Sequence, residues 1–390
     1  MAINIDSAKL RAGDLMQRVS KKGQGVFSAR HLVPAICVAT ALFVSLPVCA
    51  ETDTIDGVTW NYTTGGGKAT VTGIERKQGE LKIPAELGGF PVEAIGECAF
   101  FEDVGLTEVT IPNSVKAIGE RAFWNCAGLR NVSIGRGLTT IGRRAFAECY
   151  GLKSVDVADE NEAFASADGV LYSKDGKTLV LRPSAKEGGS FVIPDGVEVV
   201  GEMALAHCHA LTNLVLPASV ASIGTRAFAQ CYRLTELALP DGVAVIGGEA
   251  FERCYGLTNF VIPTGVKVIE PGTFDNCHFT DLTIPDSVES IGGWAFCGCT
   301  KLTNLVIGAG VTDIGPSAFQ SCRALRTLSI PDTVTNVGKL AFVECTSLVA
   351  LEVPDAWHGT DVLVDAWVPE GCTVTYRGAG PAEKRQEDEQ

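Results

Sequence analysis

The chain has 390 residues, 32 of them basic and 46 acidic, and its first 50 residues hold 6 of the basic and 2 of the acidic ones. The rest carries 26 basic and 44 acidic residues, a net of −18. So acidic a surface excludes nucleic acid and anionic membrane as partners, because both need a basic footprint.

Leu32 to Cys49 is an apolar run of 18 residues behind Lys21, Lys22 and Arg30, and Met16 offers a second start. Val48-Cys49-Ala50 then places small residues at the −3 and −1 positions of a cut before Glu51. This order predicts a signal peptide over residues 1–50 and an exported protein, secreted or held at the cell surface. An uncleaved anchor is the competing reading, and this segment is then the chain's one route to a membrane. Eighteen residues is the lower limit for a span, and Pro34 and Pro47 sit near its ends. Leu46-Pro47-Val48-Cys49 faintly resembles a lipoprotein box, with Val48 where Gly, Ala or Ser is wanted.

Residues 51–80 read as an N-terminal β cap. Gly57 to Tyr62 alternates apolar and polar, Gly65-Gly66-Gly67 turns, and Ala69-Thr70-Val71 returns. From residue 81 to 355 a 23-residue period takes over. Phe recurs at 100, 123, 146, 228, 251, 274, 296, 319 and 342, mostly after Ala, with one step of 22 inside the second run. A cysteine column lies three residues on, at Cys126, Cys149, Cys208, Cys231, Cys254, Cys277, Cys299, Cys322 and Cys345. Each unit opens as in Leu234-Thr235-Glu236-Leu237-Ala238-Leu239, the alternation of a short half-buried strand. A Pro-Asp-Gly-Val type turn follows, then Ile-Gly and Ala-Phe.

A fixed period of this length means a β-rich solenoid whose units bury their cores against their neighbours. The unit at Leu152 holds 36 extra residues before Leu211. Asp175-Gly176 between apolar runs predicts a hairpin over about 159–189 that protrudes from the stack. Residues 356–378 read as a C-terminal cap and 379–390 as a disordered charged tail.

The columns L-x-x-[VL]-x-[IL]-P-x-x-V-x-x-I-G-x-x-A-F-x-x-C resemble the treponemal-type leucine-rich repeat of the BspA-like bacterial surface proteins; Leu211 to Arg233 matches every defining column. The resemblance implies a leucine-rich repeat right-handed superhelix with short helical or 3-10 turns and β-hairpin caps. It also implies an exported bacterial protein that binds proteins or glycans of host or neighbouring cells, and it supplies no catalytic residue. Leu205 in the Phe column and Gly272-Thr273 in place of Ala depart from the pattern.

In-register side chains on coils ~4.8 Å apart point in parallel. A disulfide needs converging Cβ atoms, so the cysteine column reads as buried free thiols. Cys297 falls in a variable column with Phe101, Trp124, Glu252 and Gln320, which makes it a candidate for an exposed, reactive thiol. His207-Cys208-His209 and Cys297-Gly298-Cys299 each commit a cysteine to the column, so no metal site is expected. No nucleophile elbow, phosphate loop or zinc-protease motif is present. The chain is read as non-enzymatic and without a cofactor.

Two surface columns remain. Glu108, Asn131, Asn213, Glu236, Asn259, Asp281 and Asn304, beside a row of threonines, read as a solvated ladder that stabilises the sheet. The column after the cysteine carries rings at Tyr150, His209, Tyr232, Tyr255 and His278. Rings in a contiguous stripe suit protein or glycan contacts, and stacking that covers the turn is the plainer reading. The function read from these features is a recognition scaffold, with a purely structural envelope or matrix component as the alternative.

Overall fold

A computed structural model describes residues 50–75 and 79–378, all within the compact unit Val48–Gln390. The expected signal peptide over residues 1–50, apart from Ala50, and the expected charged tail over 379–390 lie outside the described residues. The chain winds into a β-solenoid of about 13 coils at the 23-residue spacing.

Three ladders join successive coils. The first is a column of strands such as Leu106–Ile111, Asn131–Ile134 and Ser154–Val157, paired parallel with Glu108 opposite Asn131 and Asn131 opposite Ser154. The second uses two-residue strands such as Ala117–Ile118 and Thr140–Ile141. The third, at the Ala-Phe segment, has no strands. There the amides of Arg121, Phe123 and Asn125 donate to the carbonyls of Arg143, Ala145 and Ala147 in the next coil at 3.0, 2.8 and 2.9 Å. The intervening amides of Ala122, Trp124 and Cys126 turn back three residues instead.

That alternation needs a left-handed residue on each side of the Phe, and Arg121 and Asn125 supply it at φ 53° and 55°. The same pair recurs at Arg226 and Gln230, Glu249 and Arg253, Ser317 and Ser321. A helical turn would require successive right-handed residues, so the coils close by turns where short helical turns were expected. Among the described residues the helical pieces are Asp355–Trp357 and Val362–Asp365, both in the C-terminal cap.

The Ile-Gly glycine marks the closest approach of two coils. A Cβ on Gly247 would sit 2.5 Å from the Thr225 amide nitrogen, and one on Gly142 2.5 Å from that of Glu120. Inside, the Phe column stacks ring on ring, for example Phe228–Phe251 at 5.1 Å and Phe296–Phe319 at 5.6 Å, with planes within 10°. The column cysteines are free and buried. Each donates its thiol to the carbonyl of the residue in the Phe column of the coil before, Cys126 Sγ to Phe100 O at 3.0 Å and Cys254 Sγ to Phe228 O at 3.2 Å. The column is therefore a ladder of second donors as well as packing. Thr273, where Ala is usual, is buried and donates to Glu270 O at 2.7 Å.

The N-terminal end is covered by an antiparallel meander of Glu51–Ile55, Val58–Gly65 and Lys68–Ile74, one strand more than the sequence announces. Its last strand pairs parallel with Phe90–Ile95 and so joins the stack. At the other end Thr373–Arg377 pairs with Ala350–Pro354, and Trp357 is buried with its Nε1 donating to Val334 O.

The insertion differs from expectation. Val170–Ser173 and Thr178–Leu181 do form the hairpin around Asp175-Gly176, with Phe164–Ala167 on its outer edge. Yet Thr178–Leu181 pairs parallel with Val199–Val200, so the hairpin is built into the second strand column. The sheet ending at Thr140–Ile141 has no hydrogen bond to it. The core divides at the same place, into a cluster of residues from Val58 to Val155 plus Leu171 and a cluster from Val170 to Ala366. Arg182, 1% exposed, takes the Phe position of this coil, and Cys208 Sγ lies 3.8 Å from its carbonyl. Its guanidinium donates to the carbonyls of Pro183, Lys186 and Gly188 and lies over the Phe191 ring.

Candidate binding surface

The turn after each column cysteine brings the next side chain to the surface, and the 23-residue step puts those side chains in a row. His209 and Tyr232 stack at 4.7 Å, Tyr232 and Tyr255 at 5.3 Å, Tyr255 and His278 at 5.0 Å. Tyr150 stands further off, 6.4 Å from His209, because the inserted coil lies between them and carries Lys186 at that position. The five rings are thus neighbours in space without occupying five consecutive coils. Tyr150 and Tyr255 are 43% and 39% exposed, and His209 is exposed. Tyr232 is half-buried and donates its hydroxyl to Gln230 Oε1 at 2.6 Å.

Burial pushes the pKa of His209 and of His278 down, and Lys301 adds to the effect at His278. Burial, with Glu148 beside it, pushes the Tyr150 phenol up. The stripe is therefore a neutral aromatic ribbon in the middle of an acidic molecule.

The hairpin tip does not flank this ribbon. Lys177 pairs with Glu198 Oε1 at 2.9 Å, at the start of the short strand Val199–Val200. What borders Tyr150 is the insertion's return segment, with Ser184 Oγ donating to Cys149 O at 2.8 Å and the Ala185 amide to Leu152 O at 2.8 Å. One residue missing from the surface reading is His207. Its ring meets Tyr150 edge-on at 5.2 Å and His209 at 6.0 Å, extending the stripe inward. The signal was its position one residue before a column cysteine, a column the repeats give to left-handed polar residues.

The threonine row behaves as a ladder. Thr235 Oγ1 donates to Thr212 O at 3.2 Å and Thr303 Oγ1 to Thr280 O at 2.9 Å. Asn131 Nδ2 likewise reaches Glu108 Oε1 at 3.0 Å. Cys297 is not a reactive thiol. Burial and the Asp275 carboxylate beside it push its pKa up to about 12, and the nucleophile is the thiolate. Among the described residues no three His, Cys, Asp or Glu side chains are grouped to hold a metal ion, and no helix is long and apolar enough to cross a membrane.

No curated protein sequence matches the chain significantly. Among solved structures it is similar to a leucine rich cell surface protein of Faecalibacterium prausnitzii A2-165, 25% identical over 85% of this chain and 96% of that one, with a TM-score of 0.49. It is similar also to a leucine-rich repeat protein of Eubacterium ventriosum, 21% identical over 73% of this chain and 92% of that one, with a TM-score of 0.54. The profile of the BspA type leucine rich repeat region, in six copies, matches residues 84–167, 186–279 and 267–360, more than half of the sequence. With its Leu, Ile-Gly, Ala-Phe and Cys columns stacked as that repeat requires, the chain belongs to the BspA-type leucine-rich repeat family of bacterial surface proteins.

Proposed function

We propose that this protein is an exported, non-enzymatic recognition scaffold that binds a protein partner outside the bacterial cell through the ribbon Tyr150, His209, Tyr232, Tyr255 and His278. The carrying observation is the ribbon itself: stacked rings, partly exposed, on an otherwise acidic solenoid. Rings bring large rigid contact area at low entropic cost, and pre-stacked rings have already lost the freedom that binding would remove. Family membership supports a binding scaffold, and the order of basic residues, apolar run and small residues in 1–50 supports export.

The test is capture of partners from host and neighbouring-cell surface fractions, with a glycan array in parallel, followed by titration of Tyr232→Ala, Tyr255→Ala and Thr303→Ala. Loss of a central ring is expected to weaken binding by about 2 kcal/mol, and Thr303→Ala to leave it unchanged. Tyr232→Ala also removes two stacking contacts and a hydrogen bond, so about 1 kcal/mol of stability goes with it. Equal affinity for all three variants would move the contact off the ribbon.

A further inference from the structure

Within the regular coils, two of the three ladders stop together at one boundary, between the coil that begins at Leu234 and the one that begins at Leu257. In the second column Val245–Ile246 closes one sheet and Val268–Ile269 opens another. In the first, Glu236–Leu237 is the last strand of its sheet, and pairing resumes only with the bridge from Asn259 to Asp281. The Thr235 and Ala244 amides reach back to Thr212 O at 2.9 Å and Ala221 O at 3.0 Å. Among the described residues the equivalent amides of Thr258 and Lys267 make no such bond. Between the coils at Leu302 and Leu325 the first column also stops, but there the second carries on, with Asp313 opposite Asn336.

The sequence supplies the cause. Outside the insertion, every repeat from Gly96 to Gly338 has glycine after the Ile or Val of the second column, save this one, which has Glu270. Glycine is what lets a coil touch the backbone before it. A Cβ on Gly224, Gly247 or Gly292 would lie 2.6, 2.5 and 2.5 Å from a backbone nitrogen of the preceding coil. Glu270 carries that Cβ, so its coil stands off. Its amide lacks the bond that Gly247 makes to Ile223 O at 2.9 Å and Gly292 to Ile269 O at 2.7 Å. Phe260 adds to the separation. It puts a ring at the strand position of Leu214, Leu237 and Leu282, packed edge-on against Phe251 across the boundary at 5.0 Å.

What stays continuous lies to one side. The third ladder crosses intact, the amides of Glu249, Phe251 and Arg253 donating to the carbonyls of Pro271, Thr273 and Asp275 at 3.0, 2.9 and 2.7 Å. The Tyr255–His278 stack crosses at 5.0 Å, and the apolar core runs through. Among the described residues no ion pair spans the boundary; the nearest are Arg226–Glu249 before it and Lys267–Glu289 after it. At the insertion, by contrast, Arg143 and Arg144 fasten the two faces to Glu202 at 2.8 and 3.6 Å.

We infer that this boundary is a hinge: the solenoid flexes there about the third ladder, opening and closing its two strand columns while the ring ribbon beside the axis stays stacked. Bending at any other regular boundary must break the hydrogen bonds of at least one strand column, and here there are none to break. The shared core and the one remaining ladder limit the motion. The inference stands whether or not the ribbon binds a partner.

The experiment is dipolar electron paramagnetic resonance on the full chain, with nitroxides on ketone-bearing residues so that the column thiols are left alone. Labels at Val245 and Asp313 span the boundary. Labels at Val268 and Asn336 span the same number of coils, all of them paired. Both pairs lie three coils apart, ~14 Å along the stack. The first pair is expected to give the broader distance distribution. Glu270→Gly with Phe260→Leu, which restores the common residues, should narrow it to the width of the second. The same double variant should slow exchange of the amides of Thr258, Lys267 and position 270 by about tenfold. Equal widths in the wild type, or a width that the double variant leaves unchanged, would overturn the hinge. So would Lys267 and Glu270 amides that exchange in the wild type as slowly as those of Ala244 and Gly247. Should the double variant fail to fold, Glu270→Gly alone and the wild-type comparison decide.

Discussion

Most column cysteines do two things at one position: the side chain is buried in the core, and its thiol gives a Phe carbonyl a second donor. Phe228 O already accepts the Cys231 amide at 3.1 Å when Cys254 Sγ arrives. Cys254→Ala is therefore expected to cost about 1–2 kcal/mol in a denaturant melt, well short of losing a native disulfide. Thiol titration of unfolded, unreduced protein should find all nine column thiols free, and fewer would contradict the ladder. Histidines set a pH dependence. Burial holds His207, His209 and His278 below the ordinary 6.5, so the unfolded chain takes up protons that the folded one refuses. Their stabilisation is complete above pH 6.5 and is lost as pH falls from there toward the folded values. Glu252 and Asp275, raised by burial, act oppositely, favouring the folded state as pH falls through their raised values toward 4. A melting temperature that drops from pH 7.5 to 6, with a smaller drop in His207→Phe, is the expected result.

At the scale of the element, the coil is held by backbone proximity as much as by its apolar columns. Gly247→Ala drives a methyl into the Thr225 backbone, and about 2 kcal/mol of destabilisation should follow. Gly65→Ala, whose new Cβ meets nothing within 4 Å, should melt unchanged. The regular coils were legible because every column repeats: Leu, Ile-Gly, Ala-Phe and Cys state their burial many times over. The left-handed pairs were not, since Arg, Asn, Glu, Gln and Ser at those positions share no side-chain chemistry, and only the ladder on the turn face demands the conformation. The insertion was half legible. Asp175-Gly176 announces the hairpin, but which coil Thr178–Leu181 would join depends on non-local pairing. A step of 23 back from Leu205 falls on Arg182, and one back from Cys208 on Ala185. That count would have placed the strand in the stack, had a buried Arg in a core column been credible. The ring column was readable as a stripe, and its gap after Tyr150 follows from the same insertion.

Across the whole solenoid, stability is a sum of coils and nearest-neighbour contacts. That sum has a weak term where the core divides between Val155 and Val170. Hydrogen exchange in mild denaturant should show two blocks, residues 50–157 and 190–378, losing protection separately, with the Arg143–Glu202 pairs among the few links between them. A single cooperative loss across both blocks would mean the seam is as strong as an ordinary coil contact. The 23-residue ladders have one more consequence, for chain length. Registration survives a cut only if whole coils leave, so length in this architecture is quantised. Removing residues 234–256 joins Arg233 to Leu257 with every column intact, whereas removing half that number would put charged residues in the core. The shortened chain should fold, and it should carry a ribbon in which Tyr232 lies directly against His278. Lineages built on this repeat can then lengthen or trim a ring-bearing surface one ring at a time without redesigning the fold beneath it.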